Sequence, residues 1–93
     1  MIAGFRDADA EMLWLTGRSR RIPAVLRKVA FRKLALLNAA LEPANLAVPP
    51  GNRLERLTAD RSGQYSIRIN DQFRICFRWR DGNAYDVEVV DYH

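Results

Sequence analysis

Whole classes of chemistry are closed to this chain by what it lacks. A single cysteine, Cys76, has no partner for an internal disulfide and cannot build a thiolate zinc cluster. Its place inside an alternating run predicts a packed thiol. No apolar stretch approaches the roughly 18 residues needed to span a bilayer. Arg6, Asp7 and Asp9 stand where a secretory signal needs apolar residues. A cytoplasmic protein with no membrane partner is therefore expected. Glycine is sparse, and Gly51 has neither the lysine nor the spacing of a phosphate-cradling Walker loop. No internal repeat or low-complexity tail is present. Neither a metal nor a cofactor is expected.

Lysine is almost absent as well. Apart from Lys28 and Lys33, every basic residue is arginine, and the net charge is +4 with a pI of about 9.8. The planar guanidinium donates two parallel hydrogen bonds to a phosphate or carboxylate. That excess favours a nucleic-acid or acidic-protein partner. At 93 residues the chain has room for one core between two layers, which predicts a single domain spanning residues 1–93.

The patterning predicts an α+β fold: two N-terminal helices packed on one face of a mostly antiparallel, roughly four-stranded twisted sheet, with the other face open. Asp7 caps a first helix that runs to Thr16, and Gly17 lies just past its end. A second helix runs from Pro23, in its first turn, to about Ala40. Leu26, Ala30, Leu34, Leu37 and Leu41 form its apolar stripe. Residues 42 to 52 read as a proline-stiffened connector. Ile2 to Phe5 could begin as a short strand. Arg53 to Leu57 reads as a strand, followed by a polar loop and three alternating runs: Gln64 to Asn70, Phe73 to Arg80 and Ala84 to Asp91.

Strand parity sorts the side chains. Phe73, Ile75, Phe77 and Trp79 share the core face, so Arg74, Cys76, Arg78 and Arg80 point to the open face. A three-residue loop of Asp81, Gly82 and Asn83 sets Arg80 against Ala84, Phe77 against Val87 and Ile75 against Val89. Arg78 then meets Asp86. Parity in the first hairpin puts Arg68 opposite or nearly opposite Arg74, an unfavourable like-charge pair that asks for an anion. Tyr92 falls on the same face. Asp91 and His93 have the opposite parity, although His93 can swing around the sheet edge.

Such a surface suits a phosphodiester. Cutting RNA needs a base for the 2′-hydroxyl, cations for the charge that develops on phosphorus, and an acid for the departing 5′-oxygen. His93, the only histidine, is the natural acid. Glu55 is the candidate base, Arg61, Arg68 and Arg74 the charge stabilisers, and Tyr92 a stacking or phosphate-donating group.

The run from Val48 to Glu55, then Asp60-Arg61, the stretch from Gly63 to Asn70, Phe73-Arg74-Ile75 and the closing Asp91-Tyr92-His93 resemble the HigB toxins of the RelE superfamily. Order and spacing agree over almost the whole chain. The resemblance implies a RelE-like fold and a ribosome-dependent mRNA interferase that inhibits translation by metal-independent attack of the 2′-hydroxyl. It implies two partners: a cognate HigA-type helix-turn-helix antitoxin, and a ribosome with mRNA in its decoding site. By position, Arg74 matches the phosphate-contacting arginine, Tyr92 and His93 match the catalytic pair, and Asp91 precedes them as in other HigB chains. The expected catalytic set is thus Glu55, Arg74, Tyr92 and His93, with Arg61, Arg68 and Asp91 contacting RNA. Glu55 lies where relatives carry either histidine or glutamate, groups whose reference pKa values differ by about two units. The rival readings are a non-enzymatic RNA- or antitoxin-binding module and a gyrase poison of the ParE type, which shares the architecture without the chemistry.

Overall fold

In the computed structural model the described residues are 1–91, so the expectations placed on Tyr92 and His93 lie outside them. Helix α1 spans Ala8–Thr16. The Asp7 carboxylate accepts the Asp9 amide at its start, and Gly17 closes it in the left-handed region at φ 77°. The other Asp7 oxygen accepts from Arg21 and from the backbone amide of Val89, which ties the helix and the following loop to the sheet.

Helix α2 spans Ala24–Ala39 and buries Ala30, Leu34 and Leu37. Two expectations fail at its ends. Pro23 is the N-cap, at ψ 143° and so outside the helical region, instead of a first-turn residue. Leu41 does not extend the stripe: Ala40 turns the chain extended at ψ 138°, and Leu41 is 84% exposed. The connector then forms two short 3₁₀ turns, Pro43–Ala47 and Pro50–Asn52. A third turn, Ala59–Arg61, lies in the later polar loop.

The sheet has four antiparallel strands in sequence order: β1, Glu55–Arg56; β2, Tyr65–Arg68; β3, Phe73–Arg80; and β4, Asn83–Asp91. β1 is two residues long, shorter than the expected run from Arg53 to Leu57. Ile2 and Phe5 do not form a strand but make isolated parallel bridges to Ala84 and Val87, covering the outer edge of β4. Leu13, Ile22, Leu34, Leu37, Ile67, Ile75, Phe77 and Val89 fill the interface between helices and sheet. Among the described residues no helix is long and apolar enough to cross a membrane.

The β3–β4 hairpin corrects the expected register. Its loop is the two residues Asp81 and Gly82, at φ 52° and 80°, the left-handed pair that suits a tight hairpin. Arg80 therefore pairs with Asn83 and Trp79 with Ala84. A bulge repairs the frame: Phe77 is opposed by both Asp86 and Val87, and Asp86 takes φ 50°. Beyond it, Ile75 meets Val89 as expected. Arg78 pairs with Tyr85 in the ladder yet still reaches Asp86, with Nε 3.6 Å from the carboxylate.

The second sheet face is not uniformly open. Ser66 and Cys76 are fully buried and Arg74 is 9% exposed. Arg74 donates to the carbonyl of Arg53 at 2.7 Å, and Arg61 approaches Glu88 at 3.6 Å, so the chain on either side of β1 reaches over this face.

Candidate active site

Two rows of side chains cross the face away from the helices. One runs through Glu55, Ser66, Cys76 and Glu88, the next through Arg68, Arg74 and Val90. Arg68 and Arg74 are direct cross-strand partners, the first of the two placements that parity allowed. They line a pocket of about 250 Å³ together with Arg53, Asn70 and Asp71.

Arg74 is aimed by its surroundings. Its Nε donates to Ser66 Oγ at 2.9 Å and Nη2 to the Arg53 carbonyl at 2.7 Å, while Nη1 stands 3.9 Å from Glu55 Oε1. Two hydrogen bonds fix the orientation of this buried guanidinium. Arg68 pairs with Asp71 in the turn that follows β2. Asn70 shapes that turn by accepting the amides of Gln72 and Phe73 at 3.0 and 2.7 Å. Glu55, with its side chain 54% exposed, is reachable from solvent beside Arg74.

Other expected site residues lie elsewhere. Arg61 does not line the arginine pocket; it donates to Gln64 Oε1 at 3.1 Å and faces Glu88, which Arg6 also approaches at 3.7 Å. Asp91 pairs with Phe73 on the opposite parity from Arg74 and accepts from Gln72 Nε2 at 3.1 Å. Glu55, Arg68 and Arg74 are thus brought together, Arg61 sits one row away, and Asp91 faces the other side.

Cys76, between Arg61 and Arg74, is not poised as a nucleophile. Burial pushes its thiol up to about 11; the Glu88 carboxylate adds to the rise, and Arg61 and Arg74 oppose it. Among the described residues no cluster of three or more histidine, cysteine or carboxylate side chains could hold a metal ion.

Arg53 was missed by the sequence reading. It occupies the left-handed region at φ 46°, directly after the fully buried Asn52. Alternation could not reveal it, because it precedes the ladder and enters the pocket through a turn. A larger depression of about 540 Å³, lined by Trp14, Leu15, Phe31, Arg27 and Lys28 among others, lies between the helices. Its size does not make it the reaction site, since its lining has cations but no group that accepts a proton at neutral pH.

Known proteins resemble this chain in sequence and in fold. A family model described as the RelE-like toxin of type II toxin–antitoxin system HigB matches residues 3–93. The chain is 46% identical over 85 residues to Toxin HigB-1 of Vibrio cholerae serotype O1, covering 90% of each protein. It is 27% identical to Endoribonuclease HigB of Proteus vulgaris over the full length of both. In fold it is similar to the Staphylococcus aureus YoeB–YefM toxin–antitoxin heterotetramer structure, at a TM-score of 0.62 and 16% identity, covering 100% of this chain and 98% of the matched one. YafQ from Escherichia coli aligns at a TM-score of 0.58 and 10% identity, covering 98% and 93%.

Proposed function

The chain belongs to the HigB-like, RelE-type toxins of type II toxin–antitoxin systems, and from that membership we propose that it is a ribosome-dependent mRNA endoribonuclease that arrests translation in the cytoplasm. The whole span of residues 1–93 acts as one toxin domain, and its neutralising partner is a helix-turn-helix antitoxin of the HigA type.

The observation that supports this reading best is the opposed Arg68–Arg74 pair beside Glu55. Asp71 accepts from Arg68 and Glu55 stands beside Arg74, yet the lining of the shared pocket, with Arg53, Arg68, Arg74 and Asp71, carries more positive than negative charge and favours an added anion. A backbone phosphate of the message is that anion. Glu55 takes the proton of the 2′-hydroxyl, whose oxygen attacks the adjacent phosphorus. Arg74 and Arg68 stabilise the charge that builds on the non-bridging oxygens. His93 protonates the departing 5′-oxygen, and Tyr92 stacks on a base or donates to the phosphate. Arg61 and Asp91 contact RNA outside this pocket. The chain's own acid–base groups carry the protons without a metal. With so few strong groups, the ribosome supplies much of the rate by holding the message in line.

Primer extension on mRNA after brief induction tests this directly. Wild type should leave discrete cuts within translated message, and Glu55→Gln and His93→Ala should lose them at matched folding. If Glu55→Gln cuts as fast as wild type, Glu55 is not the base; if His93→Ala does, His93 is not the acid. DNA breaks without RNA cuts would identify a gyrase poison instead, and growth arrest with neither would leave a binding module.

A further inference from the structure

We propose that Arg53 is a phosphate-binding residue of this site, so that the pocket engages one RNA phosphate more than Arg68 and Arg74 engage between them. The inference rests on the RNA-cleavage reading and deepens it.

Three observations carry it. First, Arg53 lines the same pocket as Arg68 and Arg74, reaching it from the connector instead of the sheet. Second, the charges there do not balance. Arg68 is paired with Asp71, and Arg74 has Glu55 beside it. Among the described residues the Arg53 guanidinium has no carboxylate partner. Its positive charge is left over, on the most exposed of the three arginines. A mobile polyanion fits that residue better than an internal partner does.

Third, the backbone that presents Arg53 is fixed. Asn52 is fully buried; its side-chain amide donates to the carbonyls of Leu46 and Val48 at 3.2 and 3.4 Å and its oxygen accepts from Lys33. The next residue then turns into the left-handed region, and its carbonyl accepts from Arg74 Nη2. A residue with a β-carbon rarely adopts that conformation, and glycine does so freely. Turn geometry alone gives no reason for an arginine here; a ligand for the guanidinium does.

The same turn offers a clean separation of backbone from side chain. Arg53→Gly keeps the carbonyl that Arg74 uses, relieves the positive φ and removes the guanidinium. Arg53→Ala removes the guanidinium but leaves the backbone as constrained as in wild type, and Arg53→Lys keeps the charge. The readout is kcat/KM for cleavage of message on purified ribosomes at increasing KCl, with thermal midpoints recorded for each variant. Because every variant meets the same ribosomes, differences in salt slope belong to the toxin.

Loss of one phosphate contact should make the slope of log(kcat/KM) against log[KCl] shallower by about 0.7 and lower the rate about tenfold at low salt. Arg53→Gly and Arg53→Ala should fall together, and Arg53→Lys should keep most of the wild-type slope. If Arg53→Gly cleaves with wild-type rate and slope, the proposal is overturned while the cleavage reading stands. Divergence of the glycine and alanine variants, with glycine near wild type, overturns it in favour of a backbone role. Failure of wild type to cleave overturns the cleavage reading and this proposal together.

Discussion

Arg74 shows how a buried cation is made usable. Ser66 Oγ accepts its Nε at 2.9 Å in a position without solvent, so the hydroxyl compensates part of the cost of taking the guanidinium out of water. Ser66→Ala should therefore destabilise the fold by about 1–3 kcal/mol, seen as a lower urea midpoint, and should slow cleavage by letting the guanidinium rotate. An unchanged midpoint would mean that Arg74 finds another acceptor. Its neighbour Cys76 predicts a pH effect of definite sign. Its thiol pKa rises from 9.0 to about 11 on folding because the thiolate is desolvated. Between those values the unfolded chain has lost the proton and the folded chain has kept it. Stability from this group is fully present below pH 9 and is lost as pH rises toward 11. Comparing wild type with Cys76→Ala across that window should show the steeper fall in wild type, and thiol reagents at neutral pH should react only after unfolding. That Arg68 and Arg74 share a face and lie close together was legible from alternation, since parity fixes the side to which each residue points. Arg53 was not, because its approach depends on a turn set by the buried Asn52, a contact with no period.

At the level of elements, what could be read follows local rules, and what could not follows from two elements adjusting to one another. β3 runs from Phe73 to Arg80 as expected because its eight residues alternate without a break. The boundaries of α1 follow from Asp7 and Gly17. The β3–β4 register was misread because Tyr85, Asp86 and Val87 also alternate and carry no glycine to announce a bulge. The tight Asp81–Gly82 loop puts the two apolar sets one residue out of step, and the extra residue at Asp86 brings them back. Aspartate is among the few residues that accept the left-handed region at modest cost, by hydrogen bonding locally. Asp86→Val should cost about 1–2 kcal/mol, more than the loss of the exposed Arg78–Asp86 ion pair, worth about 0–1 kcal/mol, can explain. Asp86→Asn loses the charge and keeps the backbone preference, so it should stay near wild type in thermal unfolding. Equal losses in both variants would assign the effect to the ion pair instead of the bulge.

Across the whole molecule, the sheet separates two jobs. Its helix side holds the apolar core, with Leu34 and Leu37 of α2 against Ile75, Phe77 and Val89, while its other side carries the arginine pocket. A side-chain strut ties the helix layer to the connector that enters the pocket: Lys33 of α2 donates to Asn52, the residue before Arg53. Burial, with Arg32 nearby, holds the Lys33 ammonium below its ordinary pKa, as expected for a cation drawn into the protein to make that bond. Two substitutions of similar cost to stability should therefore differ in their cost to activity. Leu34→Ala opens a cavity and should cost about 2–5 kcal/mol, yet leave kcat unchanged at temperatures where the variant stays folded, because Leu34 belongs to the apolar core and not to the pocket lining. Asn52→Ala leaves the Leu46 and Val48 carbonyls and the Lys33 ammonium without their partner, and loosens both the Arg53 guanidinium and the carbonyl that orients Arg74. It should lower kcat/KM on ribosome-bound message well beyond what its folded fraction accounts for. If Leu34→Ala reduces kcat/KM per folded molecule as much as Asn52→Ala does, the layers are coupled through the sheet itself and the strut has no special role.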